Sequence, residues 1–455
     1  MIAHTATLPR AVPGLPKVSA DRAVLKRYVW VYLVLLLLEG ALRKWVLPFA
    51  AQPLLVVRDP IALYLIYRTV AGTYRLLNAY VLAVGVLTTL SFLFTFYQGH
   101  QNFYVAVYGL RITLLHFPLM FVIGQVLDRS DVERIGKFLL WVALPMAVLI
   151  GLQYFSPQTA WVNRGIGGDL TGGGFSGAGG FLRPPATFSF TNGTTLFFGL
   201  VAAFVLYFWQ MPQRIGNRWL LIAATVAILV AVPMTLSRGY LMSLLLSTAF
   251  FVLLSLRSGR SLGRMIGGLL LVPVLGAVLV QIEFVQIGLR ILELRFANAA
   301  QSEGGLEQTI GTRIIGGMVH AVTTASDQPF WGNGLGMGTN FGSQLLTGTR
   351  RFLLAEGEWG RIIGERGALL GLGLITLRVV LCFHLVWRAL LAWAGREPLS
   401  LFLCSVGLLM ILKGNWAQPT ALGFAVVVGG MMIAALYAPA DGADAYLTDP
   451  NDFQS

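Results

Sequence analysis

Uninterrupted apolar stretches of about 18 residues or more recur along this chain, and no other feature limits its fold so severely. A backbone carried into hydrocarbon must satisfy its own hydrogen bonds, so such stretches fold as membrane helices. Composition agrees. Of 455 residues, 56% are apolar and 12% charged, and the mean hydropathy is +0.72. Soluble domains carry roughly 25% charged residues. Length alone would suit about three soluble domains, but the apolar runs predict one integrated membrane domain. The first 27 residues lack a short apolar core followed by a small-residue cleavage site.

The expected fold class is an all-α polytopic membrane protein. Spans are predicted at 28–47, 54–70, 76–97, 109–127, 138–155, 188–210, 219–236, 239–256, 265–283, 367–387, 399–415 and 420–438. That is about twelve transmembrane helices, between a tail over 1–27 and an acidic, disordered tail over 439–455. Basic residues orient them. If the N-terminal tail is cytoplasmic, every inside loop is basic: Arg68 with Arg75, then Arg129, Arg134 and Lys137, then Arg214 with Arg218, then "RSGRSLGR" (257–264), then Arg388 with Arg396. Both termini are then expected in the cytoplasm. Two outside segments are long: 156–187, which holds "GIGGDLTGGGFSGAGGFLRPP", and 284–366, where 284–301 and 312–326 read as amphipathic helices lying on the membrane.

The net charge of +13 points to an acidic partner. The charges are scattered between spans rather than gathered on a solvated face, which argues against nucleic acid and for anionic lipid or a lipid-linked phosphate. Cys382 and Cys404 stand inside apolar runs, and the histidines show no metal-ligand spacing, so neither a disulfide framework, a metal site nor a cofactor is predicted. His320, on an outer amphipathic segment, is the one histidine marked for test.

The outer face carries more arginine than the positive-inside rule expects: Arg43, Lys44, Arg58, Arg111, Arg183, Arg238, Arg313, Arg351, Arg361 and Lys413. Single members have ordinary explanations. Arg43 follows Glu39 by four residues, an intrahelical pair, and Arg58 adjoins Asp59. Arg238 is the sharpest case. It opens a helix between two apolar runs in "AVPMTLSRGYLMSLLLS" (231–247), where free N–H groups already favour an anion. An arginine there makes sense if both share one phosphate. Just before the tenth span, "LLAEGEWGRIIGERGALLG" supplies Glu356, Glu358 and Glu365. A carboxylate there can accept a proton from a hydroxyl. Glu356 and Glu358 are two apart, so one helix face cannot present both. "GNGLGMG" (332–338) is a tight loop rather than a dinucleotide fingerprint.

Four segments in order carry a resemblance: "RPPATFSFTNG" (183–193), "TLSRG" (235–239), "TRIIGGMVHAVTTASDQPFWGNGLGMG" (312–338) and "EGEWGRIIGERGALLGL" (356–372). Together they resemble the O-antigen ligase and polysaccharide polymerase superfamily of bacterial inner-membrane proteins, over a core of about 183–420 within the membrane domain 28–438. "LEGALRKWVLP" (38–48) and "VVRDP" (56–60) are similar to one branch of it. The resemblance implies a GT-C-like architecture with a large periplasmic loop, here 284–366. It implies metal-independent, inverting glycosyl transfer on the periplasmic face, from a glycan on undecaprenyl diphosphate to a glycan or lipid-core acceptor. Membrane lipids and other polysaccharide-assembly proteins are the remaining implied partners. Family arginines that grip the diphosphate correspond to Arg183, Arg238 and Arg313, with Arg361 added from the late loop. Ligases of the family carry a His-Asn pair where this chain has Glu356-Gly357, so Glu356 or Glu358 would serve as base. Two other classes stand beside this one: a transporter or flippase for an anionic lipid-linked or small anionic solute, and a non-catalytic scaffold. The first expects charges near the bilayer midplane and related halves.

Overall fold

The computed structural model describes residues 16–72, 76–171, 175–176, 180–257, 263, 273–303, 316–349, 352–394 and 397–437. These residues are mostly helical. In chain order the helices are α1 (Pro16–Ala41), α2 (Asp59–Ala71), α3 (Ala79–Tyr97), α4 (Phe103–Leu114), α5 (His116–Val126), α6 (Arg129–Phe155), α7 (Thr191–Gln210), α8 (Arg218–Thr235) and α9 (Arg238–Arg257). They continue with α10 (Pro273–Val280), α11 (Glu283–Glu303), α12 (Gly317–Thr323), α13 (Asn340–Thr347), α14 (Glu358–Ala394), α15 (Leu399–Leu412) and α16 (Pro419–Ala434). The strands found among the described residues are two-residue pieces, β1 (Phe175–Ser176) and β2 (Leu182–Arg183), paired antiparallel.

Among the described residues, seven helices are long and apolar enough to cross a membrane: α3, α4 with α5 as one run (Phe103–Val126), α6, α7, α8, α9 and α14. α10 with part of α11 makes an eighth when the bent pair is taken as one span. The chain is a multi-pass helical membrane protein. The count differs from the predicted twelve for three reasons. α1 is long, but Lys26, Arg27 and Glu39 interrupt its apolar run. α15 and α16 coincide with predicted spans but have only 14 and 16 residues, and α2 has 13. Part of the span predicted at 265–283, like most of the tail 439–455, lies outside the described residues.

Polar residues at the helix starts fix where each helix begins. Asn78, Asn102 and Asn217 accept hydrogen bonds from first-turn N–H groups of α3, α4 and α8, and Asp128 and Asp131 form a reciprocal capping box on α6. The interior is continuous, with Phe197, Phe198, Phe204 and Tyr207 of α7 at its centre. α5 and α16 pack closely because Gly429 and Gly430 face Met120 and Ile123; a Cβ on Gly429 would sit 2.6 Å from the Met120 sulfur.

Ion pairs mark the two ends of the bundle. At one end Lys26 bonds Asp128 and Asp131, Arg129 donates to the Ala435 carbonyl, and Arg129 and Arg214 share Glu397. The first described turns of α1 and the end of α16 therefore lie on one side, with the loops read as inside. The opposite end carries the residues read as outer.

α14 is not one rod. Gly367 has φ 78° and ψ 174°, a conformation only glycine adopts freely. Glu358 and Arg378 are twenty residues apart, about 30 Å along a straight helix, yet Arg378 Nη1 lies 2.8 Å from Glu358 Oε1. The segment 358–366 thus folds back along 368–378. Gly371 permits the crossing, since a Cβ there would lie 2.8 Å from Ile363 Cα.

Candidate functional site

At the end of the bundle opposite Lys26, the fold-back of 358–366 lies against the turn 413–418, and charged side chains are buried there as a polar floor.

One network lines the floor beside α1. Glu39 receives Arg58 Nε at 3.1 Å and Arg43 Nη1 at 3.5 Å. Arg43 also donates to the Ala51 carbonyl and to Ser189 Oγ at 2.8 and 2.9 Å. Arg58 donates to Tyr32 Oη and to the Pro419 carbonyl at 3.3 and 2.6 Å. The expected Arg58–Asp59 pairing is replaced: Asp59 takes Arg111 at 2.7 Å and His116 Nε2 at 3.0 Å, and the other His116 nitrogen meets Tyr32 Oη at 3.2 Å. The reason is geometric, because Asp59 opens α2 and points toward α4 while Arg58 turns back to α1. Arg43, Lys44 and Trp45 lie on a π-helical turn, Leu42–Val46, whose wider backbone swings Lys44 inward to the Ala186 carbonyl.

A second network fills the fold-back. Glu358 accepts from Arg361 Nη2 at 2.8 Å and Nε at 3.0 Å, from Arg378 at 2.8 Å, and from the Trp416 N–H at 3.0 Å. Arg361 also holds Glu365 at 2.7 Å. Arg378 lies over the Trp416 ring, 3.8 Å from its centre. Arg366 points instead to the hydroxyls of Ser91 and Thr113, at 3.3 and 3.2 Å. Among buried residues at this end the cations are Arg43, Lys44, Arg58, Arg361, Arg366 and Arg378, against the carboxylates Glu39, Glu358 and Glu365. Six against three leaves a surplus of positive charge in a low-dielectric setting.

A ladder of side-chain bonds links the segments that carry the sequence-predicted residues. Thr194 donates to the Pro184 carbonyl, next to Arg183, and Thr195 to Ser237 Oγ, next to Arg238. Both threonines stand in the first turns of α7. Asn192, one residue into that helix, meets Gln418, and Asn415 bonds the Glu356 carbonyl at 3.3 Å. Arg238 opens α9 because Leu236 takes a left-handed conformation (φ 47°) that ends α8, and Ser237 then caps the new helix through the Tyr240 N–H at 3.2 Å. Arg183 and Arg238 are half-buried, and each adjoins a residue bonded to the first turns of α7.

The two candidate bases differ. Glu358 is buried and receives four hydrogen bonds from charged or backbone donors, which leave it no free lone pair for a hydroxyl proton. Arg361 spends its guanidinium on Glu358 and Glu365. These two residues, expected in catalysis and in substrate binding, are bound up with each other. Glu356 is exposed at the rim, and His320 is exposed on α12. Arg313 lies outside the described residues. The sequence reading missed Arg378 and the Asp59–His116–Tyr32 chain. Arg378 had a signal: it is an ionisable residue inside an apolar run, eleven residues past the start of the predicted span.

No known family's sequence pattern matches the chain, and no curated protein matches it.

Proposed function

We propose that this chain is a bacterial inner-membrane glycosyltransferase that polymerises or ligates undecaprenyl-diphosphate-linked glycans on the periplasmic face, in surface-polysaccharide assembly. The observation that carries the reading is the surplus of buried positive charge at the end of the bundle that also bears the half-buried Arg183 and Arg238 and the exposed Glu356. In this reading α1 and the shorter helices α2, α15 and α16 complete about twelve crossings, the termini are cytoplasmic, and 284–366 forms the periplasmic loop.

The chemistry follows from the groups present. An acceptor hydroxyl oxygen attacks the anomeric carbon, and the bond from that carbon to the diphosphate oxygen breaks with its electron pair. Arg183 and Arg238 stabilise the charge that develops on the departing diphosphate, an effect worth several kcal/mol when the donors are fixed beforehand. Glu356 takes the hydroxyl proton. Attack from the face opposite the leaving group inverts the anomeric centre. Arg313 remains a third proposed diphosphate ligand. The deep lattice of Glu358, Glu365, Arg361 and Arg378 serves as a rigid, internally paired floor rather than as base or ligand.

The test is transfer by the purified protein in nanodiscs with a lipid-diphosphate-linked glycan donor. Arg238→Ala and Glu356→Gln are expected to fold normally and to form no product; normal product from both refutes the assigned roles. A transporter or flippase is the second reading, favoured by ionisable side chains set below the outer boundary. It predicts donor movement without donor consumption in the same vesicles.

A further inference from the structure

Four buried polar atoms cluster in sequence at the outer end of α6, and none has a hydrogen-bond partner: Tyr154 Oη, both amide atoms of Gln158, and Arg164 Nε. Tyr154 is only 4% exposed. Buried polar atoms are almost always paired, and each that is not carries a desolvation cost of about 1–3 kcal/mol. Four within eleven residues, in a segment otherwise tightly bonded, call for a reason.

The segment is well built. Gln153 donates to the Val162 carbonyl at 2.9 Å, and Asn163 donates back to the carbonyls of Gln153, Ser156 and Pro157 at 3.0, 3.1 and 3.1 Å. Residues 153–163 thus form a compact cap on the helix end. The cap carries aromatic faces. Trp161, 56% exposed, stacks on Trp45 with ring centres 5.4 Å apart and planes 23° from parallel, and Trp45 Nε1 bonds the Trp161 carbonyl. Tyr154 stacks on Phe181 at 4.8 Å, two residues before Arg183. Gln153 grips both the N–H and the carbonyl of Ala186, three residues after Arg183. The cap therefore stands as a wall beside the segment that carries Arg183.

We infer that this wall is a carbohydrate-binding subsite, in which Tyr154, Gln158 and Arg164 bond sugar hydroxyls and the Trp161–Trp45 pair supports a sugar ring's C–H face. The mixture of atoms selects that ligand class. A phosphate needs donors only, and an acyl chain needs neither donors nor acceptors. A sugar hydroxyl both donates and accepts, as a phenol and a primary amide do. α6 has 27 residues, about 40 Å of helix, so this end stands clear of the hydrocarbon, where a hydrophilic glycan can reach it. The inference deepens the proposed function by giving the glycan part of the substrate its own contacts, separate from those of the diphosphate.

The test uses the full chain in nanodiscs, a panel of lipid-free oligosaccharides cut from bacterial surface polysaccharides, and sugar-free undecaprenyl diphosphate as a second probe, read by saturation-transfer NMR. The wild-type protein is expected to bind at least one glycan. Tyr154→Phe and Gln158→Leu are each expected to weaken it about five- to tenfold while the unfolding temperature stays or rises, because each removes an unpaired polar atom. Binding of the sugar-free carrier is expected to stay unchanged. Absence of any bound glycan, unchanged glycan affinity in both variants, or parallel loss of carrier binding would overturn the inference. Glycan binding that responds as expected in a protein that transfers nothing would leave this subsite standing and remove the transferase reading alone.

Discussion

The two glutamates on either side of Gly357 separate structure from chemistry, and their amide variants test the reasoning most directly. In Glu358→Gln the shape is nearly kept and the charge is lost. Arg361 and Arg378 then share a buried site with one fewer anion; Arg361 keeps Glu365, but Arg378 keeps only the Trp416 ring. Removing one partner of a buried ion pair typically costs about 3–5 kcal/mol, and the severed Trp416 N–H bond adds to the loss. Glu356 is exposed, and its amide should change stability by no more than about 0.5 kcal/mol. Reversible unfolding in mixed micelles measures both, with glycan transfer measured in nanodiscs on the same preparations. The expected pattern is crossed. Glu358→Gln loses several kcal/mol of stability, and its folded fraction retains turnover; Glu356→Gln keeps its stability and loses turnover. A Glu358→Gln protein as stable as wild type would show that the fold-back lattice is not what holds 358–366 against 368–378. Full turnover by Glu356→Gln would remove it as base.

Three further outcomes follow from the same geometry. Gly367→Ala places a Cβ against the Phe330 carbonyl and a side chain in a glycine-only conformation, so it should cost at least about 1–3 kcal/mol, seen as loss of folded protein on size-exclusion chromatography. Lys44→Met removes the ammonium from the Ala186 carbonyl and loosens the strand end bearing Arg183; the KM for a lipid-diphosphate donor should rise about tenfold with kcat less affected. At the inner end, burial pushes the Asp128 carboxyl up, but the bonds from Ser130, Lys26 and the Asp131 N–H, with the Lys26 charge, hold it well below the ordinary carboxylate range. A depressed folded value stabilises above the unfolded value of about 4 and is lost as pH falls below it. The stability gap between wild type and Asp128→Asn should therefore be full at pH 7 and shrink on acidification below about pH 4.

What the sequence made legible was what apolar periodicity and local chemistry determine. The runs over 76–97, 138–155, 188–210 and 219–236 became α3, α6, α7 and α8, because hydrocarbon leaves a backbone no alternative to helix. The Glu39–Arg43 pair was legible because four residues on a helix bring two side chains together. Arg238 at a helix start was legible because Ser237 is an ordinary cap. What was hidden depends on contacts between distant residues. Nothing in "GERGALLG" tells whether Gly367 continues a helix or reverses it; the loop around Phe330 and Gly332 decides, by packing where a Cβ would stand. That reversal carries Glu358 to Arg378, so it also decided which glutamate could be a base. A straight helix would have left Glu358 as accessible as Glu356. The reversal does one thing more. By taking Glu358 and Glu365 for its own arginines, it leaves the floor's remaining cations without carboxylates enough to balance them. In the function proposed above, a diphosphate leaving group at this end of the bundle would offset that imbalance.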